Sequence, residues 1–295
     1  MDIEADRIAA PAPALQGADV VGGGGTSIYR HRVPVRVMHW INVVCMTVLL
    51  GSGLNIFNAH PTLYWGNDSV TGTPWLSIRG DNTPQGPVGT TRVGSTDFVT
   101  TGVLGVSKVN GQVTARGFPS WATIPGPQWL AMARHWHLFF AWLFVVNGVL
   151  YLLYTIFSRH LVKDLLPTRD ELRNIGRSIV DHIKFKHPTG AAATRYNVLQ
   201  SLAYLVVIFV LLPLIVFAGM ALSPRIDTVF TGWVDLLGGR QSARSLHFLA
   251  AAGLLLFVFI HVFEAIVAGV WNEMRSMITG WYQVPVDHPA KEVRP

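Results

Sequence analysis

Cysteine is almost missing from this chain. Cys45 is the single one in 295 residues, so the chain alone cannot build an intrachain disulfide, a cysteine zinc site or an iron–sulfur cluster. No C-x-x-C-H stretch occurs either, which argues against a covalently attached c-type haem. Charge is also scarce: 14% of residues are charged against 50% hydrophobic, and the mean hydropathy is +0.37. A chain this apolar reads as an integral membrane protein rather than a soluble one. Acidic residues are fewer than basic ones, leaving a formal charge of +6. The basic residues flank apolar runs, where membrane orientation accounts for them better than nucleic acid does, and nucleic-acid binding is discounted. The first 29 residues lack an apolar run that would serve as a signal peptide. Rich in Ala, Pro and Gly and ending in Gly22 to Gly25, they read as a disordered tail.

What the chain does contain is four apolar runs. In the first, YRHRVPVRVMHWINVVCMTVLLGSGLNIF, Arg30, Arg32 and Arg36 precede a span of about twenty residues. Arginines at that end place it in the cytoplasm. Residues 58–128 are too polar to span and read as a periplasmic insert; within it VSKVNGQVTARG alternates around Asn110 and Gly111, which predicts a β-hairpin. The second run covers about 128–157. Residues 158–196 then carry Arg159, Lys163, Arg169, Arg173, Arg177, Lys184, Lys186 and Arg195 against four acids, a cytoplasmic loop by the same rule. Inside this loop Thr168 and Glu171 form a capping-box pattern. Leu172, Ile175, Ile179 and Ile183 recur at helical spacing opposite Arg173 and Arg177, which predicts an amphipathic helix on the inner membrane surface. The third run, about 196–222, contains Pro213, where a kink is expected. The fourth spans 242–271. The predicted fold is an all-α membrane protein, a four-transmembrane-helix bundle with a periplasmic loop insert and a cytoplasmic amphipathic helix. Its domain runs over 30–282, between the tail 1–29 and a C-terminal tail 283–295, with both termini cytoplasmic.

Histidine is the residue whose position needs explaining. SARSLHFLAAAGLLLFVFIHVFEAIVAGVW carries His247 and His261, fourteen residues apart. At 100° per residue this is about 1400°, within roughly 40° of whole turns, with a rise of about 21 Å. Both rings therefore face one way at different depths. An imidazole in hydrocarbon is costly unless paired, and this geometry suits a helix giving one axial ligand to each of two stacked haems. The fourth run passes from outside to inside, so His247 is outer and His261 inner. His39, near the inner end of the first run, pairs with His261. At the outer start of the second run, His135 and His137 point about 200° apart, so only one of them enters a given pocket. Gly148, eleven residues on and within about 20° of the face of His137, favours that ring as the partner of His247. Gly53, fourteen residues after His39, offers similar clearance for a porphyrin. Gly51, Gly53 and Gly148 fit helix packing equally well. His31, His60, His135, His160, His182, His187 and His288 read as interfacial or hydrogen-bonded residues. Arg36 inside and Arg134, Arg240 and Arg244 outside suit haem propionates, and suit headgroup or orienting roles just as well. Glu264, one turn beyond His261, suits proton transfer for a quinone near the inner haem, snorkelling, or a pair with Arg36.

Several stretches together carry a family resemblance. They are HRVPVRVMHWIN with GSGLNIFNAHPTLYWG, GFPSWATIPGPQWLAMARHWHLFFAWLF, YNVLQSLAYL, and GGRQSARSLHF with HVFEAIVAGVWNEMRSMITGWY. Over roughly residues 28–282 the chain resembles the prokaryotic dihaem cytochrome b family: bacterial cytochrome b-561 and the membrane cytochrome subunits of nickel–iron hydrogenase and formate dehydrogenase. Within it, the chain looks most like the thiosulfate reductase cytochrome b subunits. The resemblance implies a bundle holding two b-type haems in the bacterial inner membrane, an electron-transfer subunit of a respiratory chain without catalytic residues of its own. It implies exchange between quinone and a periplasmic molybdopterin oxidoreductase. Its ligand pattern falls on His39, His137, His247 and His261; RHWH leaves His135 as a competitor, and the insert is longer than in hydrogenase-type subunits. Two other readings compete: a stand-alone quinone-linked oxidoreductase acting on a small periplasmic oxidant such as superoxide, and a non-redox anchor or transporter whose histidines bind metal or carry protons.

Overall fold

The computed structural model describes residues 18–21, 25–69, 72–109, 111–158, 166–184, 197–230 and 232–284. Among them, four helices are long and apolar enough to cross a membrane: Val33–Phe57, Leu130–Phe157, Val198–Ala221 and Arg240–Thr279. In chain order the elements begin with β1 (Ala18–Val21) and β2 (Gly25–Tyr29), followed by the first long helix, α1 (Val33–Phe57). Pro34 sits in the first turn of α1, where its missing N–H costs nothing. The insert then supplies β3 (Thr62–Leu63), β4 (Leu76–Thr83), β5 (Gly86–Val93), β6 (Thr96–Val99), β7 (Gly105–Val109) and β8 (Gln112–Arg116). After the second long helix, α2 (Leu130–Phe157), come α3 (Arg169–Arg173) and α4 (Ile175–Ile183). The third long helix is α5 (Val198–Val206), a π-helical turn over Val207–Leu211, and α6 (Leu212–Ala221). Two short helices, α7 (Pro224–Val229) and α8 (Trp233–Leu236), lead into α9 (Arg240–Thr279) and the last strand, β9 (Trp281–Gln283).

The π-helical turn has a local cause. Pro213 offers no N–H and its ring crowds the carbonyl four residues back, so the helix widens by one residue just before it. In α9, 40 residues at about 1.5 Å each would reach about 60 Å, twice a hydrocarbon core of about 30 Å. The helix is interrupted at Gly269, whose φ of 106° and ψ of 81° suit a residue without a side chain. Beyond it Trp271, Met274 and Ile278 are exposed at helical spacing.

The chain is more β-rich than an all-α reading allows. The hairpin expected around residues 110–111 is present, with Val109 opposite Gln112. A four-stranded antiparallel sheet in the order β3-β4-β5-β6 accompanies it. Its strands carry short runs of Thr, Val and Gly that give no strong alternation, so they read as loop from the sequence. The second departure is at the termini. Residues 25–29, read as part of a disordered tail, pair with Trp281–Gln283, and β1 pairs with β2. Ser27, Ile28 and Tyr29 gain partners that lie more than 250 positions away, a contact no local pattern announces. This sheet also puts both ends of the described chain on one side of the bundle, opposite the insert. In the loop after α2, the capping box is formed: Glu171 N–H donates to Thr168 Oγ1 at 3.3 Å and Thr168 N–H to Glu171 Oε2 at 2.7 Å. The expected single helix breaks at Asn174 into α3 and α4. His160, His187 and His288 lie outside the described residues.

The insert is bolted to the bundle. Leu63, Leu76 and Ile78 form its core with Phe57 of α1, and Phe248 of α9 packs against them. Trp75 Nε1–H donates to Ser245 Oγ at 2.9 Å, Ser245 Oγ–H to the Tyr64 carbonyl at 2.6 Å, and Gly66 N–H to Ser242 Oγ at 2.8 Å. Among the long helices, α1 packs chiefly on α2 and α6 on α9, while α1 and α9 approach each other only sparsely. The space between those two helix pairs is where the histidines meet.

Candidate functional site

Two imidazole pairs bridge the gap. His137 of α2 faces His247 of α9 with ring centroids 6.1 Å apart and planes at 64°. Nearer the termini, His39 of α1 faces His261 of α9 at 6.4 Å and 57°. These are the couples that spacing and topology predict. His135 turns outward: it is exposed, and its Nδ1 lies 2.9 Å from the Ala131 carbonyl of its own helix.

The insert-side pair is held by its outer nitrogens. His137 Nδ1 lies 3.1 Å from Ser52 Oγ, and Ser52 Oγ–H donates to the Val48 carbonyl at 2.6 Å. His247 Nδ1–H donates to the Ile215 carbonyl at 2.9 Å. With Nδ1 of both rings occupied in this way, each Nε2 keeps its lone pair for whatever lies between them. In the other pair, His39 Nδ1 is buried and meets no hydrogen-bond partner among the described residues. His39 packs edge-on against Trp40 at 5.4 Å, and His261 stacks on Phe257 at 5.9 Å.

Glycine also stands directly against the imidazoles. A Cβ on Gly53 would lie 3.3 Å from His137 Cε1, so this glycine clears space for the imidazole itself. Gly219 of α6 does the same for His247, at 3.0 Å from Cε1 and 3.2 Å from Nδ1. Gly219 was not singled out from the sequence, because the third span carries no histidine to mark its face. A Cβ on Gly148 would meet nothing within 4 Å, and one on Gly51 would strike Ile124 at 2.7 Å.

The arginines divide by task. Arg244 donates to the Thr62 carbonyl at 3.0 Å and to the His60 carbonyl, clamping the start of the insert onto α9. Arg240 pairs with Asp227 at 2.9 Å, and Arg134 is exposed. Arg36 donates to the Ile278 carbonyl, while its Nε is buried without a partner among the described residues. Glu264 is half-buried on α9. Asn147 of α2, unremarked in the sequence, donates to the Met38 carbonyl at 2.9 Å and to Asn42 Oδ1 at 2.8 Å, fixing α2 against the turn of α1 that bears His39.

The pairs fit a haem. Metal–nitrogen bonds of about 2 Å on either side of an iron, with each ring centre about 1.1 Å behind its nitrogen, place two centroids about 6 Å apart, which is the spacing of both couples. Among the described residues no three His, Cys, Asp or Glu side chains converge as a protein-only metal site requires. Two opposed imidazoles are what a porphyrin iron takes, since the macrocycle provides the other four nitrogens.

The model of the family described as prokaryotic cytochrome b561 matches residues 30–280. A protein of Azospira oryzae named "Putative protein-methionine-sulfoxide reductase subunit YedZ1" is 30% identical over 246 residues, covering 83% of this chain and 93% of its own length. No solved structure matches the chain.

Proposed function

Because the chain belongs to the prokaryotic cytochrome b561 family and so is a membrane haem protein of electron transfer, we propose that it holds two haem b groups and relays electrons between quinone and a redox protein docked on the insert side. One observation carries this reading: two imidazole couples, at 6.1 and 6.4 Å, each joining α9 to a different helix. In this assignment His137 and His247 would hold the haem on the insert side, and His39 and His261 the one on the termini side. Haem held between two imidazoles would supply one-electron exchange, which suits transfer rather than oxygen binding. Ser52 and the Ile215 carbonyl orient the insert-side rings, and Gly53 and Gly219 let them seat.

The quinone site we assign is a groove of about 660 Å³ beside the termini-side couple, lined by Val33, Arg36, Val37, Trp40 and Ile41 among others. An isoprenoid tail suits the apolar face of α1, and the Arg36 guanidinium suits a quinone oxygen. Trp40 lines the groove and touches His39, which makes it a link between the two. Glu264, one turn past His261, is the carboxylate we assign to the protons that accompany quinone chemistry.

The chain then sits in a bacterial inner membrane with the insert periplasmic and both termini cytoplasmic. Arg30, Arg32 and Arg36 before α1 and the basic loop after α2 support that orientation. In this placement α3 and α4 lie on the inner membrane surface. By family resemblance the partner is a periplasmic molybdopterin oxidoreductase, and the name of the Azospira relative favours a reductase of protein methionine sulfoxide.

A reduced-minus-oxidised optical spectrum of the detergent-solubilised protein tests the reading. Low-spin b-type bands equivalent to two haems are expected. His247→Ala and His261→Ala should each remove one haem and leave the other. Absence of these bands in protein expressed with ample haem, or loss of both haems from either change, would overturn it.

A further inference from the structure

Ser52 is buried completely in α1, beside Gly53 and against the ring of His137. A serine hydroxyl has one proton. Here it goes to the Val48 carbonyl at 2.6 Å, with the Leu49 carbonyl at 3.2 Å as the alternative acceptor. Toward His137 Nδ1, 3.1 Å away, the oxygen is therefore an acceptor, and Nδ1 must carry the hydrogen. The bond thus favours one tautomer, as does the backbone hydrogen bond that the ring makes to the Leu49 carbonyl, and leaves the lone pair on Nε2. It also does something electronic: an acceptor on Nδ1–H draws the proton away and makes the ring a stronger base at Nε2. A stronger axial donor stabilises the ferric over the ferrous state, which differ by one electron with no proton moved, and so lowers the potential of its iron. The termini-side couple lacks this device at His39, whose Nδ1 has no acceptor among the described residues.

We propose that Ser52 is a positioning residue of the insert-side haem, fixing the Nδ1–H tautomer of His137 and holding the potential of that haem down. The proposal rests on the dihaem reading above and is tested separately from it. Spectroelectrochemical titration of the full-length protein compares the parent chain with Ser52→Ala and Ser52→Thr. The parent spectrum first counts the haems; absence of b-type bands there sinks the dihaem reading and, with it, the premise. With two haems present, Ser52→Ala is expected to raise one midpoint potential and leave the other in place. Ser52→Thr, which restores a hydroxyl able to bond the same carbonyl, is expected to return the parent value. Two unchanged midpoints in Ser52→Ala would overturn the role of Ser52 while leaving the haems intact. If Ser52→Ala loses a haem outright, Ser52→Thr decides: retention at the parent potential supports the hydroxyl's role, and loss overturns it.

Discussion

At the scale of single residues, the site depends on how little stands next to the imidazoles. Gly219 and Gly53 come from different helices, yet each faces the Cε1–Nδ1 edge of one insert-side ring. Gly219→Ala should push His247 by a few tenths of an ångström and lengthen its 2.9 Å bond to the Ile215 carbonyl. The expected outcome is partial loss of the insert-side haem, deepening to full loss in Gly219→Val, read as haem per protein by absorbance. A second prediction separates the neighbouring histidines. His135→Ala should keep both haems, since that ring is exposed and bonds its own helix, whereas His137→Ala should keep one. The reverse pattern would transfer the ligand role to His135.

At the scale of elements, α9 carries the organisation. It contributes a ring to each couple, anchors the insert through Ser242, Arg244 and Ser245, and after Gly269 turns away to end against β2 through β9. A Cβ at Gly269 would meet nothing within 4 Å, so space is no obstacle there; the backbone conformation is. Gly269→Ala should cost roughly 1–3 kcal/mol by forcing a side chain onto that conformation, lowering the thermal unfolding midpoint without changing the haem count. An unchanged midpoint would mean the break is not set by this residue. Past the break, the exposed Trp271, Met274 and Ile278 form one apolar stripe, which in the proposed placement lies in the inner lipid interface. Brominated lipids should then quench Trp271 fluorescence, compared against Trp271→Phe.

At the scale of the whole molecule, the joint between insert and bundle is expected to respond to acid. His60 lies just outside α1, stacked on Tyr64 at 6.0 Å, and its carbonyl accepts from Arg244. Burial pushes its imidazole below the ordinary value of 6.5, and the nearby guanidinium of Arg244 adds to the shift. A base whose pKa is lowered on folding binds fewer protons folded than unfolded. Its neutral form therefore supports the fold above pH 6.5, and that support is lost as pH falls from there through the folded-state value. Limited proteolysis within residues 60–128 should accelerate on going from pH 7.5 to 5.5, and His60→Gln should flatten the change. Equal acceleration in both proteins would place the acid response elsewhere.

The four apolar helices and the faces on which His39, His137, His247 and His261 stand were legible in the sequence. Each depends on helical periodicity or on the partition of apolar and charged residues, which are properties of a local stretch. That only one of His135 and His137 enters a given pocket was legible for the same reason, since residues two apart on a helix point about 200° apart, while packing leaves His135 exposed and brings His137 to His247. The sequence could not show Ser52 accepting from His137, Gly219 clearing His247, Arg244 clamping the insert, or β2 meeting β9. These join positions from 28 to more than 250 residues apart, and nothing in either stretch marks its partner. Periodicity orients a side chain about its own helix axis, and only packing one helix on another decides what that side chain meets.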